Sequence, residues 1–163
     1  MMITERRWLH QRSYWVKGQK YETLDGCVSS LGLVLSEHWL KSPWCQVSMH
    51  DLTINEAIKQ MKEQHRFLAR KIRQEPREPQ PIYRDGCGDW CCFGSKYVDV
   101  SSLLCCAAIE LIGHYMISGS KFIKLPDLDV ATINEGWQRL YDQCVKSREE
   151  REILADQIIN YIE

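Results

Sequence analysis

The residues best suited to chemistry lie between Asp85 and Ser120, a segment that holds five of the eight cysteines. Structural zinc sites often begin with two cysteines a few residues apart. The candidate ligands here are Cys87, Cys91, Cys92 and Cys106. The adjacent pair Cys105 and Cys106 is poorly placed to complete such a site, because neighbours on a helix point about 100° apart. We therefore expect no cofactor, with zinc as the alternative and small apolar thiols as the simpler interpretation.

A second candidate for chemistry is a line of polar residues at four-residue steps, formed by Cys106, Glu110 and His114. On a helix these side chains share one face. Glu110 would then orient His114, while Cys91 or Cys92 approaches as a nucleophile. No flanking signature of an enzyme family supports this arrangement, and Glu110 and His114 could simply satisfy each other in a core. We favour a protein without catalytic activity, and a cysteine-dependent enzyme is the further alternative.

The longest apolar stretch, from Val98 to Ile123, must position these residues. Its length and composition predict a buried central helix over residues 101–117. Asp99, Glu110, His114 and Lys121 interrupt the stretch, and a lipid-facing span rarely tolerates such groups near its centre. We therefore expect a core helix and no membrane association. The fold class predicted is mainly α: a single-domain bundle of four or five helices around this central helix.

Two longer helices begin with the same four letters, Thr-Ile-Asn-Glu, at Thr53 and at Thr132. In each, the threonine and the following glutamate fit a capping box. The sequences diverge afterwards, so we interpret the match as shared capping chemistry and not as an internal repeat. Apolar residues recur at alternating four- and three-residue steps in both segments, as in a coiled-coil seam. His65 lies on the first seam and is expected to be a packed core residue.

The two seam helices carry opposite charge. Residues 53–74 sum to +4 and residues 132–163 sum to −3. We expect them to be antiparallel neighbours within the chain, since edge charges set orientation. The alternative is pairing between two chains, which would make a homodimer through the 53–74 and 132–163 helices. The stretch 146–152 loses the apolar stripe, which indicates either a solvated turn of helix or a break.

The N-terminal residues are basic and rich in aromatic side chains. Residues 14–16 and 19–24 flank Lys17-Gly18 and predict a small hairpin or short strands. Arginines can meet phosphates while aromatic rings stack on bases, but a net +2 over 25 residues is a weak footprint for nucleic acid. We favour an edge element of the core. The candidate binding residues are Trp8, Trp15, Trp39 and Trp44, with Lys59, Lys62, Arg66 and Arg70 on helix 53–74.

Composition is that of an ordinary globular protein, with 44% apolar and 26% charged residues and a net charge of −1. We expect one domain over residues 1–163, with a stiff proline-rich connector at 75–81. The first residues lack the apolar region of a signal peptide. A cytoplasmic location is therefore expected, with its cysteines reduced.

The prediction of function rests on the lack of an enzyme signature and on the tryptophan-rich composition with helices of opposite charge. Tryptophan is abundant in protein interfaces as well as cores, and the chain has six. We expect a small cytosolic protein-interaction module that binds a partner protein, of the inhibitor, immunity or adaptor type that phages and mobile elements encode. The alternative is a nucleic-acid-associated protein that uses the basic N-terminal segment and the basic face of helix 53–74.

Overall fold

The computed structural model describes residues 2–162, which form two compact units. Unit 1 comprises Met1–Ala69 and Leu154–Glu163, and unit 2 comprises Arg70–Ile153. Each unit has its own apolar core, built in unit 1 around residues such as Val28, Leu40 and Met61, and in unit 2 around Leu104, Met116 and Trp137. The sequence predicts one domain over residues 1–163, in which the two units would unfold together. This stays a prediction.

Unit 1 contains two small antiparallel sheets, two helices, and the C-terminal part of the last helix of the chain, from Leu154 onward. The first sheet contains β1 (Thr4–Trp8), β2 (Gln11–Val16) and β3 (Gln19–Tyr21), and the second contains β4 (Val34–Ser36), β5 (Trp39–Lys41) and β6 (Gln46–Ser48). Helix α1 (Leu24–Ser29) lies between the sheets in sequence, and α2 (Ile54–Arg73) follows them. Thr23 caps α1 by accepting a hydrogen bond from the backbone N–H of Gly26.

Unit 2 repeats this order of elements. Its sheets are β7 (Tyr83–Arg84), β8 (Trp90–Cys92) and β9 (Ser95–Tyr97), then β10 (Glu110–Ile112), β11 (Tyr115–Ser118) and β12 (Lys121–Lys124). Helix α3 (Val100–Cys106) separates them, α4 (Val130–Lys146) follows, and α5 (Arg148–Asn160) comes last. Asp99 caps α3 in the way that Thr23 caps α1.

One pair of hydrogen bonds identifies the repeat most clearly. Asn55 accepts a bond from the N–H of Ile3 at 2.8 Å and donates to its carbonyl at 2.9 Å. Asn134 does the same with Ile82, at 2.9 Å in both directions. Both asparagines belong to the Thr-Ile-Asn-Glu strings, so those strings mark a structural repeat. The interpretation as shared capping chemistry was wrong.

The prediction of a mainly α bundle is also wrong. Five helices take 39% and twelve strands take 26% of the part of the chain that the structure describes, so the fold is mixed α and β. The expected small hairpin near the N-terminus is present, as β2 and β3 pair around the Lys17-Gly18 turn. Both turn residues have positive φ, which suits the two-residue turns that join twisted strands.

The buried central helix predicted over residues 101–117 does not exist. Helix α3 ends at Cys106, and the chain then forms the hairpin of β10 and β11. Ala108, with φ 59°, follows the end of the helix, and Gly113, with φ 57°, lies in the turn between β10 and β11; a right-handed helix allows neither value. The three residues expected on one helical face are therefore separated: Cys106 ends α3, Glu110 begins β10, and His114 lies in the turn after β10.

Of the two predicted capping boxes, one is present and one is not, and residues of both predicted apolar seams lie in the cores. Thr53 and Glu56 form the predicted capping box, with reciprocal bonds of 3.2 and 3.3 Å. Thr132 does not cap its helix, because α4 begins at Val130 and Asp129 accepts the N–H of Thr132. Ile58 and Met61 of the first seam are buried in the unit 1 core, and Ile133 and Leu140 of the second are buried in the unit 2 core. The helix is interrupted at Ser147, which separates α4 from α5.

The proline-rich segment 75–81 contains no helix or strand, and α2 ends just before it at Arg73. The boundary between the compact units falls earlier, at Ala69 and Arg70 within α2. Among residues 2–162, no helix combines the length and the apolar character needed to cross a membrane.

Candidate interaction surfaces

The residues proposed for catalysis are not assembled into a site. Cys91 and Cys92 are buried neighbours on β8, so their side chains point to opposite faces of the sheet. Burial raises the pKa of the Cys92 thiol, which opposes nucleophile formation. Glu110 begins β10, whereas His114 lies in the turn after it and its ring hydrogen-bonds to the carbonyl of Leu125 at 3.1 Å.

The candidate metal ligands are also separated by their elements. Cys87 is exposed in the turn between β7 and β8, and Cys106 is exposed at the end of α3. Cys91 and Cys92 are buried on β8. Within residues 2–162, no group of three or more histidine, cysteine or acidic side chains is arranged to hold a metal ion.

His65 is a core residue in unit 1, and both of its ring nitrogens have partners. Nδ1 donates to the carbonyl of Ile158 at 3.1 Å, which leaves Nε2 to accept from the Ser42 hydroxyl at 2.8 Å. Burial lowers the pKa of the imidazole, so the ring is held neutral. A serine bonded to a histidine can form a nucleophile pair. Here, however, Ser42 Oγ also accepts the backbone N–H groups of Trp44 and Cys45, which ties it into a turn.

The four tryptophans predicted to bind a partner have different environments. Trp44 is half-buried and packs edge-on against His65 and Tyr161, with ring centroids 5.7 and 5.1 Å away. Trp39 is 40% exposed on β5. Trp8 lies on β1 and Trp15 on β2 of the first sheet.

The basic candidates follow one side of α2. Lys59, Arg66 and Arg70 are exposed and Lys62 is half-buried. At 100° per residue these four positions fall within an arc of about 80° that borders the buried side of the helix. A homodimer through the 53–74 and 132–163 helices stays a prediction.

Strand register shows which side chains share the outer face of the first sheet. Ile3, Val16 and Tyr21 pack on the unit 1 core, so the alternate positions point outward. The outward positions are Thr4, Arg6, Trp8, Gln11, Ser13, Trp15 and Lys20, which we call the tryptophan face. A groove of about 400 Å³ lies along it and is lined in part by Trp8, Gln11 and Lys20.

The second sheet of unit 2 has an apolar outer face. Leu111, Met116 and Ile123 form one cross-strand row that packs on the core. The outward side chains Ile112, Tyr115, Ile117 and Phe122 form what we call the apolar face. Ile112 is 54%, Tyr115 41% and Phe122 62% exposed, and the rings of Tyr115 and Phe122 touch edge-on.

A groove of about 540 Å³ adjoins the apolar face and shares Ile112 and Ile117 with it. The remaining lining residues come from unit 2 as well, and include Lys71 and Gln74 after the unit boundary in the chain. Glu110 and Lys124 stand at opposite corners of the face, since each occupies the end position of a different cross-strand row. The arrangement is an apolar centre with charged corners.

Comparison of the chain with protein-family models, with curated proteins and with solved structures found no match. The repeat within the chain supplies a comparison of its own. In unit 1, the positions equivalent to Ile112, Ile117 and Phe122 are Ser36, Lys41 and Gln46. The equivalent of Tyr115 is Trp39, and Val34 is exposed on the same face, so this face is less apolar in unit 1 than in unit 2.

Sequence reasoning missed the apolar face because it assigned Ile112, Tyr115 and Ile117 to a helix. A usable signal was present: polar and apolar residues alternate in part from Ile109 onward, and Gly113 with His114 fits a two-residue hairpin turn. The tryptophan face was indicated by its composition, but the sequence did not show which residues point outward.

Proposed function

We propose that this chain is a protein-interaction module, and that its partner protein packs on the apolar face of unit 2. The supporting observation is the exposure of Ile112, Tyr115 and Phe122 on one flat sheet surface. Scattered exposed apolar residues are normal in proteins, whereas contiguous apolar patches often have a function. The inhibitor, immunity or adaptor type of module fits a face of this kind.

The size of the apolar face suits the centre of an interface. Three strands about 4.8 Å apart and two outward rows about 7 Å apart give a patch of roughly 200 Å² once side chains are included. A standard interface buries about 800 Å² on each partner, and a few central side chains contribute most of its binding energy. Tyr115 and Phe122 are the aromatic anchors in this arrangement, and the adjoining groove can receive a side chain of the partner.

The compartment proposed is the cytoplasm. All eight cysteines are free thiols, and Cys87, Cys105 and Cys106 are exposed. Exposed thiols persist in reducing compartments and are oxidised elsewhere.

The proposal is tested by placing a photoreactive benzoylphenylalanine at position 122 and irradiating cells of the native host. The matched control carries the same amino acid in place of Gln46, which occupies the equivalent strand position in unit 1. We expect a discrete crosslinked species from position 122 and none from position 46. Mass spectrometry of that species identifies the partner.

A second experiment uses ordinary substitutions. Ile112→Ser and Phe122→Ser together should abolish co-purification of the crosslinked partner, because they remove the centre of the contact. Val34→Ser changes an exposed apolar residue on the equivalent sheet of unit 1 and should leave co-purification intact. Equal crosslinking from positions 46 and 122, or retention of the partner by the double variant, would rule out the apolar face as its site.

A further inference from the structure

A different surface carries an inference independent of the apolar face. We propose that the tryptophan face of unit 1 binds single-stranded nucleic acid, with Trp8 and the stacked pair Arg6–Trp15 as base platforms and with Arg6 and Lys20 meeting phosphates. Proteins that bind single strands without reading sequence combine aromatic side chains with a basic groove. Both components are present on this sheet.

The aromatic component is exposed and partly fixed in place. Trp8 is 78% exposed, although its strand is paired on β2. Trp15 Nε1 donates to Ser13 Oγ at 3.1 Å, which orients the indole on the sheet. The guanidinium of Arg6 lies 4.6 Å from the centre of the Trp15 ring. A guanidinium plane stacked on an indole can itself receive a base.

The charge of the face is complementary to a phosphate backbone. Arg6 and Lys20 are cations on the outward side, and neither forms an ion pair with any carboxylate in residues 2–162. Glu5 pairs with Arg7 and Arg12 and is turned to the other face of the sheet. The groove is lined by two cations, Arg12 and Lys20, and by one carboxylate, Glu22.

The spacing of the two tryptophans defines the path of the strand. Trp8 and Trp15 lie on rows four residues apart along β1, which corresponds to about 14 Å. Arg6 occupies the row between them. A nucleic acid that touches both rings therefore runs along β1 and passes Arg6 on the way.

The equivalent sheet of unit 2 has neither an exposed aromatic ring nor an unpaired cation at the positions of Trp15 and Lys20. The fold alone therefore does not produce the tryptophan face. Cys91 takes the place of Trp15 and is buried. Lys96 takes the place of Lys20, but its ammonium lies 3.1 Å from the carboxylate of Asp85. The cation that is neutralised in unit 2 is left open in unit 1.

The test measures fluorescence anisotropy of labelled twelve-nucleotide oligothymidylate and oligouridylate with the full chain, at about 50–200 mM salt. Each neutralised phosphate contributes about −0.7 to the slope of log K against log salt for single strands, so two cations predict about −1.4. Trp8→Ala should weaken binding about tenfold, as loss of one stacked base does, and Trp8→Phe should restore most of it. Lys20→Gln should bring the slope to about −0.7.

The controls sit on another sheet of the same unit. Trp39→Ala and Lys41→Gln change exposed residues of β5 and should leave the affinity unchanged. Duplex DNA of the same length should bind more weakly, since its bases cannot stack on the rings. The proposal fails if no binding occurs at 50 mM salt, if Trp39→Ala and Trp8→Ala weaken binding equally, or if a polyglutamate peptide binds as tightly as the oligonucleotide. None of these results bears on crosslinking at the apolar face.

Discussion

Arg148 and Glu75 are joined by two parallel hydrogen bonds, from Nε to Oε1 and from Nη2 to Oε2, each 2.8 Å long. The same carboxylate accepts a third bond from Arg151 at 2.7 Å. Arg151 is buried and also donates to the backbone carbonyls of Ile72 and Cys144. These bonds, above all those from Arg148, lower the pKa of Glu75 to about 2.

Glu75 should make the free energy of unfolding depend on pH in the acidic range. Its carboxyl has a lower pKa in the folded state than in the unfolded state, so the unfolded state binds the proton first as the pH falls. Its stabilisation is therefore complete above about pH 4.5 and is lost as the pH falls towards 2. Glu75→Gln should lower the free energy of unfolding at pH 7 by about 2–3 kcal/mol, because the buried Arg151 loses its partner. Urea titrations between pH 2 and 7 measure both effects.

The control for Glu75 is Glu150→Gln, which removes the same charge from an exposed position on α5. It should leave the free energy of unfolding within about 0.5 kcal/mol of the wild type. If both variants lose stability equally, net charge and not the arginine cluster is responsible.

His65 should give a second pH dependence at higher pH. Burial lowers the pKa of its imidazole from the ordinary value of 6.5, so the unfolded state takes up a proton that the folded state refuses. The free energy of unfolding should decrease as the pH falls below 6.5. His65→Phe should remove this part of the slope between pH 5 and 7.5. It should also destabilise the protein by about 1–3 kcal/mol at every pH, because Ser42 and the Ile158 carbonyl lose their partner.

Replacement of the exposed His10 by Phe provides the comparison for His65. It should leave the pH slope intact. A His65→Phe protein with the wild-type slope would show that another group is responsible.

The asparagine pair tests the repeat and its cooperativity. Asn55→Ala removes two hydrogen bonds to backbone and Asn134→Ala removes three, because Asn134 also donates to the carbonyl of Val130; each substitution should cost about 2–3 kcal/mol. If the chain is one cooperative domain, Asn134→Ala lowers hydrogen-exchange protection at Ile3 as well as at Ile82. Loss of protection confined to unit 2 would contradict the single-domain prediction. Asn160→Ala, at an exposed position, should change neither.

Cys92 should be inert to alkylation in the folded protein. Burial raises the pKa of its thiol and shields it from reagent. Iodoacetamide at pH 6 should leave Cys92 unmodified, and the same reagent at pH 8 in urea should modify it. Peptide mass spectrometry measures the extent of modification, with the exposed Cys87 as the internal reference. Rapid modification of Cys92 at pH 6 would revive the enzyme hypothesis.

The sequence predicted features that depend on a few neighbouring residues. The Lys17-Gly18 hairpin and the Thr53 capping box are local, and both are present. It failed where short elements decide the fold. Helix α3 has seven residues and β10 has three, so neither spans enough periods for a pattern to be recognised. The run from Val98 to Ile123 is apolar because α3 and the strands β10, β11 and β12 all contribute side chains to the unit 2 core. Periodicity alone does not distinguish such a run from a buried helix.

The candidate surfaces were predictable in part for the same reason. The sequence named Trp8 and Trp15, but the outward direction of each depends on pairing with distant strand positions. The apolar face depends on Phe122 meeting Ile117 across two strands. That contact follows from register, which the sequence left undetermined once the segment was assigned to a helix.

The structural repeat, which Asn55 and Asn134 mark, has a consequence for how this protein could acquire new binding properties. A duplicated unit keeps its inward residues because each copy must fill its own core, while its outward residues are free to change. Ser36 and Ile112 occupy the same position in the two copies and differ in polarity, as Trp15 and Cys91 differ in size and exposure. Equivalent sheets of the two units can thus present different surfaces within a single chain. Grafting the four residues of the apolar face onto unit 1 is the corresponding engineering route to a bivalent protein.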